Sequence, residues 1–188
     1  MQRVIVITGA TGTGKTTVSQ YLRDRYQVPR IITHTTRPKR PGERDRVDYY
    51  FETKESFSHN HFLESVTYSG YQYGSSYEGL ERAFQTAPIV SIVLDTKGAL
   101  TYVRELGDQA LVLFLTVSQT GVLKDRIERR GDQLAMIEAR IQSDEYRRDL
   151  QLPTELDGAA TVIQNDDWEQ TKGRLGSLMA DLTRVKEG

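Results

Sequence analysis

The sequence predicts a three-layer α/β fold: a central parallel sheet between helices, with an inserted lobe and a helical lid. Two observations carry this. Short, strongly apolar runs at 4–7, 89–94 and 110–117 have the length and composition of strands covered on both faces. Between and after them lie stretches with helical spacing, and the alternation is interrupted only by a polar, turn-rich excursion around 35–80.

Residues 3–8 read as a buried strand that runs into a glycine-rich turn, and 16–26 carry helical spacing through Val18, Leu22 and Tyr26. A second short strand is expected at 31–32. Residues 37–46 are polar, contain Pro38, Pro41 and Gly42, and should be irregular. Small strands are expected at 49–51, 62–68 and 71–73, the last two around a turn at Ser69 and Gly70. A helix follows at 76–86, then parallel strands at 89–94 and 111–117. Helical patterns occupy 119–130 and 133–150, a last strand 161–163, and a closing helix starts at Trp168. The whole of 1–188 is expected to be one domain, with a core from 1–32, 84–125 and 150–188, a lobe at 33–83 and a lid at about 126–149.

The chain has 188 residues, enough for one domain with a real core. It lacks cysteine, which excludes disulfides, thiolate metal sites and cysteine nucleophiles. No apolar run is long enough to span a bilayer, and the opening Met-Gln-Arg does not resemble a secretory signal. A cytoplasmic enzyme or binding module is expected. The net charge of −1 gives no field that would attract nucleic acid or a membrane. Of the 25 basic residues 18 are arginines, whose planar forks suit phosphate and carboxylate.

Gly9, Gly14, Lys15 and Thr16 fit the pattern G-x-x-x-x-G-K-[ST], between a strand and a helix where its mechanism requires. The motif resembles the phosphate-binding loop of P-loop NTPases. Its backbone N–H groups, from Gly9, Ala10, Thr11, Gly12, Thr13 and Gly14 on to Lys15, Thr16 and Thr17, would wrap the phosphates of ATP at a helix N-terminus. Lys15 can reach between β- and γ-phosphates, and the Thr16 hydroxyl can coordinate Mg²⁺. A plain glycine turn would explain neither Lys15 nor Thr16. The loop signals a nucleoside triphosphate and says nothing of the acceptor.

Residues 33–51 contain Thr33, Thr35, Thr36, Arg37, Arg40, Gly42, Glu43, Asp48, Tyr49 and Phe51, in the order T-T-R-x-x-R-x-G-E and then D-Y-x-F. Phe62-Leu-Glu64 and Gly70-x-x-Tyr73-Gly74-Ser75 follow, then Asp95-x-x-Gly98, Arg126-x-x-x-Arg130-Gly131 and Asn165-Asp166-Asp167. In order and spacing this resembles the guanylate kinase family over almost the whole chain. The resemblance implies that Arg37, Arg40, Tyr49 and Tyr73 hold the phosphate of GMP, that Glu64 reads guanine, and that Thr33 and Ser75 complete the contact with the base. It implies a polar contact from Asp95 near guanine or the metal, ATP contacts that include Asn165, and lid arginines Arg126, Arg130 and Arg140 that close over both phosphate chains. ATP and GMP, with dGMP beside it, become the expected substrates and Mg²⁺ the cofactor of a monomer or homodimer.

The chemistry of the residues agrees. A monophosphate is nearly a dianion, and two guanidinium forks suit it. Guanine offers adjacent N1–H and N2–H donors that a carboxylate accepts, whereas adenine would set a lone pair against it. Phosphoryl transfer to an anionic oxygen requires alignment and charge neutralisation rather than a base. His34, His59 and His61 are therefore expected to be loop or surface residues. The alternatives are a solvated basic loop at 37–46, a surface position for Glu64, and a salt-bridged solvent face for the lid arginines.

Several positions depart from the family's pattern. D-[IV]-D-x-Q-G reads here as Val93, Leu94, Asp95, Thr96, Lys97 and Gly98, so one acid and the glutamine are replaced. Lys97 adds a charge that either serves function or caps the next helix. Arg46 stands for a glycine before the D-Y pair, where a positive φ would be strained. The stretch from Arg130 to Arg140 is one residue short, and Arg147 occupies the place of a common glutamate. The rival readings are a kinase of related fold with another phosphorylated acceptor and a non-catalytic phosphopeptide-binding module.

Overall fold

The computed structural model describes residues 2–68, 70–128, 138 and 141–184. Its main sheet is parallel, with strands β1 (Arg3–Thr8), β6 (Ile89–Val93), β7 (Ala110–Thr116) and β8 (Ala160–Gln164) in the order β6-β1-β7-β8. Strand β1 shows why this sheet is buried on both faces. Val4 and Val6 point to one side and Ile5 and Ile7 to the other, and all four are fully buried.

Val4 and Val6 pack with Val90, Ile92 and Val112 against α3 (Tyr77–Thr86) and α4 (Thr96–Leu106) through Leu80, Ala83, Ala99 and Tyr102. Ile5 and Ile7 pack with Leu113, Leu115 and Ile163 against α1 (Lys15–Tyr26) and the closing helix α7 (Trp168–Arg184), through Val18, Leu22, Leu175 and Met179. Helix on sheet on helix is the three-layer arrangement expected from the apolar runs. No helix among the described residues is long and apolar enough to cross a membrane.

The excursion builds a second sheet, ordered β3-β2-β5-β4, from β2 (His34–Thr35), β3 (Tyr50–Phe51), β4 (Phe62–Tyr68) and β5 (Tyr71–Ser76). β4 and β5 pair antiparallel, with a register shift between Phe62 and Glu64. A short helix α2 (Lys54–Ser58) lies between β3 and β4; Thr53 and Ser56 form its capping box. Helices α5 (Gly121–Glu128) and α6 (Asp144–Asp149) lie between β7 and β8, and short 3-10 turns occupy Gly107–Gln109 and Thr154–Leu156.

Several expectations need correction. The strand at 31–32 reduces to a single parallel bridge from Arg30 to Ser91, because the chain leaves the main sheet after Ile31 to enter the second one at His34. The helix expected over 133–150 is broken at Ser143, which is extended (φ −70°, ψ 150°) and accepts the Tyr146 N–H to start α6; most of 133–140 lies outside the described residues. His34 is no surface residue: it is 4% exposed in β2, bonded to Glu52 and, at 2.9 Å, to the Ser76 hydroxyl. The expectation for Arg46 needs no correction: it takes the positive φ (61°) that strains a side chain, with its N–H donating to the Tyr49 carbonyl at 2.8 Å. Lys97 is exposed and does not cap α4; that cap is Asp95, whose carboxylate accepts the Gly98 N–H at 2.7 Å.

Candidate active site

The phosphate loop leaves β1 and turns into α1, with α1 capped by Gly14 in a left-handed conformation (φ 99°). A side chain there is blocked twice. The backbone disfavours it, and a Cβ would lie 2.4 Å from the Asn165 amide nitrogen. That amide is engaged at both ends: its nitrogen donates to the Thr13 carbonyl at 2.8 Å, and its oxygen accepts from the Thr171 hydroxyl at 2.9 Å. Asn165 thus ties the loop to the end of β8. Lys15 folds over the loop and donates to the carbonyls of Gly9 at 2.5 Å and Ala10 at 3.0 Å.

The loop opens into a cavity of about 610 Å³ lined on one side by Thr11, Gly12, Gly14, Lys15, Thr16 and Thr17 and on the other by Arg37, Arg40, Tyr49 and Tyr73. Arg126, Asn165 and Trp168 lie at the same opening. Arg126, on α5, donates to the Asn165 carbonyl at 3.0 Å. The remaining loop residues face inward: Ala10 joins the core beside Leu123 and Ile127, Thr13 donates to the Ala10 carbonyl at 2.8 Å, and Gly9 lies against Leu115. Arg130 and Arg140 lie outside the described residues.

Glu43 stands in the sequence motif without an assigned role, and the structure gives it one. Its carboxylate takes the Arg37 guanidinium at 2.7 and 3.0 Å and the Arg40 backbone N–H at 2.8 Å, so it sets both arginines in place. Burial pushes the Glu43 carboxyl up, but the Arg37 hydrogen bond, the Arg40 N–H and the charges of both arginines together outweigh this and leave it below its ordinary value. The Arg37 guanidinium also lies over the rings of Tyr49 and Phe51, at 5.6 and 5.8 Å.

A second cavity of about 300 Å³ continues from the first, sharing Lys15, Tyr49 and Tyr73 with it. Thr33, Glu64, Val93, Leu94 and Asp95 line it. Glu64 is only 8% exposed and its carboxylate accepts no hydrogen bond among the described residues. Burial, with a smaller push from Asp95, raises its carboxyl to about 7. Ser75 lies opposite Glu64 on β5, buried behind the cavity wall, and its oxygen accepts the Tyr102 hydroxyl at 2.9 Å. Neither Tyr102 nor the arginine that reaches Asp95, Arg148, carries a motif signal; both act across distant stretches of sequence.

Comparison with known proteins follows the same lines. The sequence profile described as "Guanylate kinase" matches residues 1–182. A protein named guanylate kinase from Synechococcus sp. (strain JA-3-3Ab) is 34% identical over 94% of this chain and 82% of its own. Another from Thermus thermophilus is 36% identical over 77% of this chain and 67% of its own. The crystal structure of guanylate kinase from Anaplasma phagocytophilum superposes with a TM-score of 0.65, covering 96% of this chain and 85% of that one at 20% identity, which supports the fold. Loop, arginine pair, buried glutamate and match across nearly the full length agree: the chain belongs to the guanylate kinase family.

Proposed function

We propose that this protein transfers the γ-phosphoryl group of ATP to GMP, and to dGMP, giving ADP and GDP or dGDP. The observation that carries the acceptor is Glu64: a buried carboxylate without a partner among the described residues, facing a cavity that opens onto Arg37 and Arg40. Such a group is costly unless a ligand supplies donors. The adjacent N1–H and N2–H of guanine do so, and an adenine would leave the carboxylate facing a lone pair.

With guanine beside Glu64 and Thr33, the GMP phosphate falls among Arg37, Arg40, Tyr49 and Tyr73, facing the phosphate loop across one cavity. A GMP phosphate oxygen attacks the γ-phosphorus of ATP. The bond from that phosphorus to the β–γ bridging oxygen breaks, and its electron pair leaves on ADP. The protein aligns the two anions and neutralises charge through Lys15, Arg126 and the loop amides. Arg130 and Arg140 are proposed to add positive charge to the same space.

Mg²⁺ fits the residues present. It keeps most of its waters and needs few protein oxygens; the Thr16 hydroxyl lines the cleft and bonds to no described residue, and no group of three acidic or histidine side chains able to hold a metal occurs among the described residues. When bound, the ion would screen the phosphate charges of ATP. Asn165 is proposed to act beside ATP by fixing the loop, and Asp95 to meet the guanine. We place this activity in the cytoplasm, where both nucleotides occur.

The test is a coupled ADP-release assay against GMP, dGMP, AMP, CMP and UMP. GMP and dGMP should be used, with AMP disfavoured by roughly 10⁴-fold, as for sites that leave a buried polar group unpaired with the wrong substrate. Equal use of AMP would remove Glu64 from the base-reading role.

A further inference from the structure

Asp95 has both carboxylate oxygens engaged. One accepts the Gly98 N–H at 2.7 Å and the other the Arg148 guanidinium at 2.6 Å. Arg148 comes from α6, 53 residues away in sequence. Its Nε donates to the Thr96 hydroxyl and to Asp149, each at 3.1 Å, and Asp149 accepts the Thr96 hydroxyl at 2.6 Å and the Thr96 N–H at 3.2 Å. Thr96 is fully buried and Asp149 is 9% exposed. The four residues form a closed ring that fixes the first turn of α4.

This ring borders the base cavity. A Cβ built on Gly98 would lie 3.2 Å from an Asp95 oxygen and 3.4 Å from a Glu64 oxygen, so the two carboxylates approach each other across that glycine. Glu64 is buried and Asp95 only partly so, and their like charges oppose each other there. A nearby cation relieves this, and it is not Lys97, which is exposed. Val93, at the acidic position of the family's pattern, contributes no charge. The cation on Asp95 is Arg148.

We propose that Arg148 is a positioning residue for the acceptor base: through Asp95 it keeps the second acid of the cavity aimed, so that Glu64 and Asp95 can face guanine together. This rests on the assignment of the 300 Å³ cavity to guanine. A fork that spans Asp95, Thr96 and Asp149 also explains why arginine occupies the position, since an ammonium is a single point.

The experiment is a double-mutant cycle on the full chain with Arg148→Met, Asp95→Asn and both together, plus Arg148→Lys, each read as KM for GMP, KM for ATP and kcat. Arg148→Met should raise KM for GMP about tenfold, within the usual range of coupling for groups in direct contact, and leave KM for ATP within about twofold. In the Asp95→Asn background the same change should add nothing. Arg148→Lys should recover part of the loss. If Arg148→Met multiplies the Asp95→Asn effect in full, or raises both KM values together, the role is a structural one and the proposal fails. If Asp95→Asn leaves KM for GMP unchanged, the proposal fails along with the guanine contact of Asp95. Calorimetric GMP binding reads the same cycle without turnover, so absence of kinase activity would overturn the functional reading while still deciding this one. Should Arg148→Met not fold, an Arg148→Lys variant with both KM values unaltered would equally overturn the proposal.

Discussion

Replacing Glu64 by glutamine should make the protein more stable and nearly useless toward GMP, with a gain that depends on pH in a defined sense. Burial raises the Glu64 carboxyl from its ordinary 4.5 to about 7 in the folded chain. A carboxyl whose pKa is raised on folding favours the fold below its unfolded pKa and loses that contribution as pH climbs through the folded one. A difference of about 2.5 units at about 1.36 kcal/mol each corresponds to roughly 3 kcal/mol against the fold at pH 8.5, and to about 1 kcal/mol at pH 5.

Glutamine has the same shape and no charge. Glu64→Gln should therefore raise the unfolding free energy by roughly 3 kcal/mol at pH 8.5 and by about 1 kcal/mol at pH 5, which for a chain of this length is about 6–12 °C and 2–4 °C in Tm. Urea and thermal unfolding at both pH values measure this directly. In the unaltered protein, KM for GMP should rise as pH falls below about 7, since guanine needs the ionised acid; the GMP phosphate adds its own titration near 6. The variant should lose the Glu64 part of that rise. An equal stability gain at both pH values, or none at pH 8.5, would refute the argument that a desolvated charge is held in reserve for the base.

Three further outcomes follow from individual contacts. Gly14→Ala should cost about 2 kcal/mol or more and weaken ATP binding, because the added methyl meets Asn165 and the backbone is left-handed; unchanged urea unfolding and unchanged KM for ATP would contradict this. Arg46→Gly should release the cost of φ 61° and gain up to about 1 kcal/mol in thermal unfolding, net of the entropy glycine carries; a loss of stability would show that the side chain contributes more than the strain removes. Glu43→Gln should raise KM for GMP several-fold through a loosened Arg37 while KM for ATP stays put; a parallel rise in both would move Glu43 out of the acceptor side.

The core is legible in the sequence because its signals are local. A run such as Val4 to Ile7 with no polar member reads as a strand covered on both sides, and Gly14, Lys15 and Thr16 name their own loop. Glu64, Arg37 and Arg40 can be picked out because their chemistry complements one ligand. What the sequence hides depends on distance or on single contacts. The Ser143 cap interrupts an apolar spacing that continues across it, and α4 is announced only by Asp95 and the spacing of Ala99 and Tyr102. The ring from Asp95 to Arg148 joins two stretches with nothing in either to indicate the other. His34 reads as a surface residue because its partners, Glu52 and Ser76, are brought to it only by the second sheet.

The most direct test follows the transferred atom. With ATP labelled on the γ-phosphate and GMP as acceptor, the label should appear in the β-phosphate of GDP, with little as inorganic phosphate, and nowhere when GMP is left out. Label that goes only to inorganic phosphate, or remains in ATP with every guanine mononucleotide offered, would contradict the account of two anions held face to face for transfer.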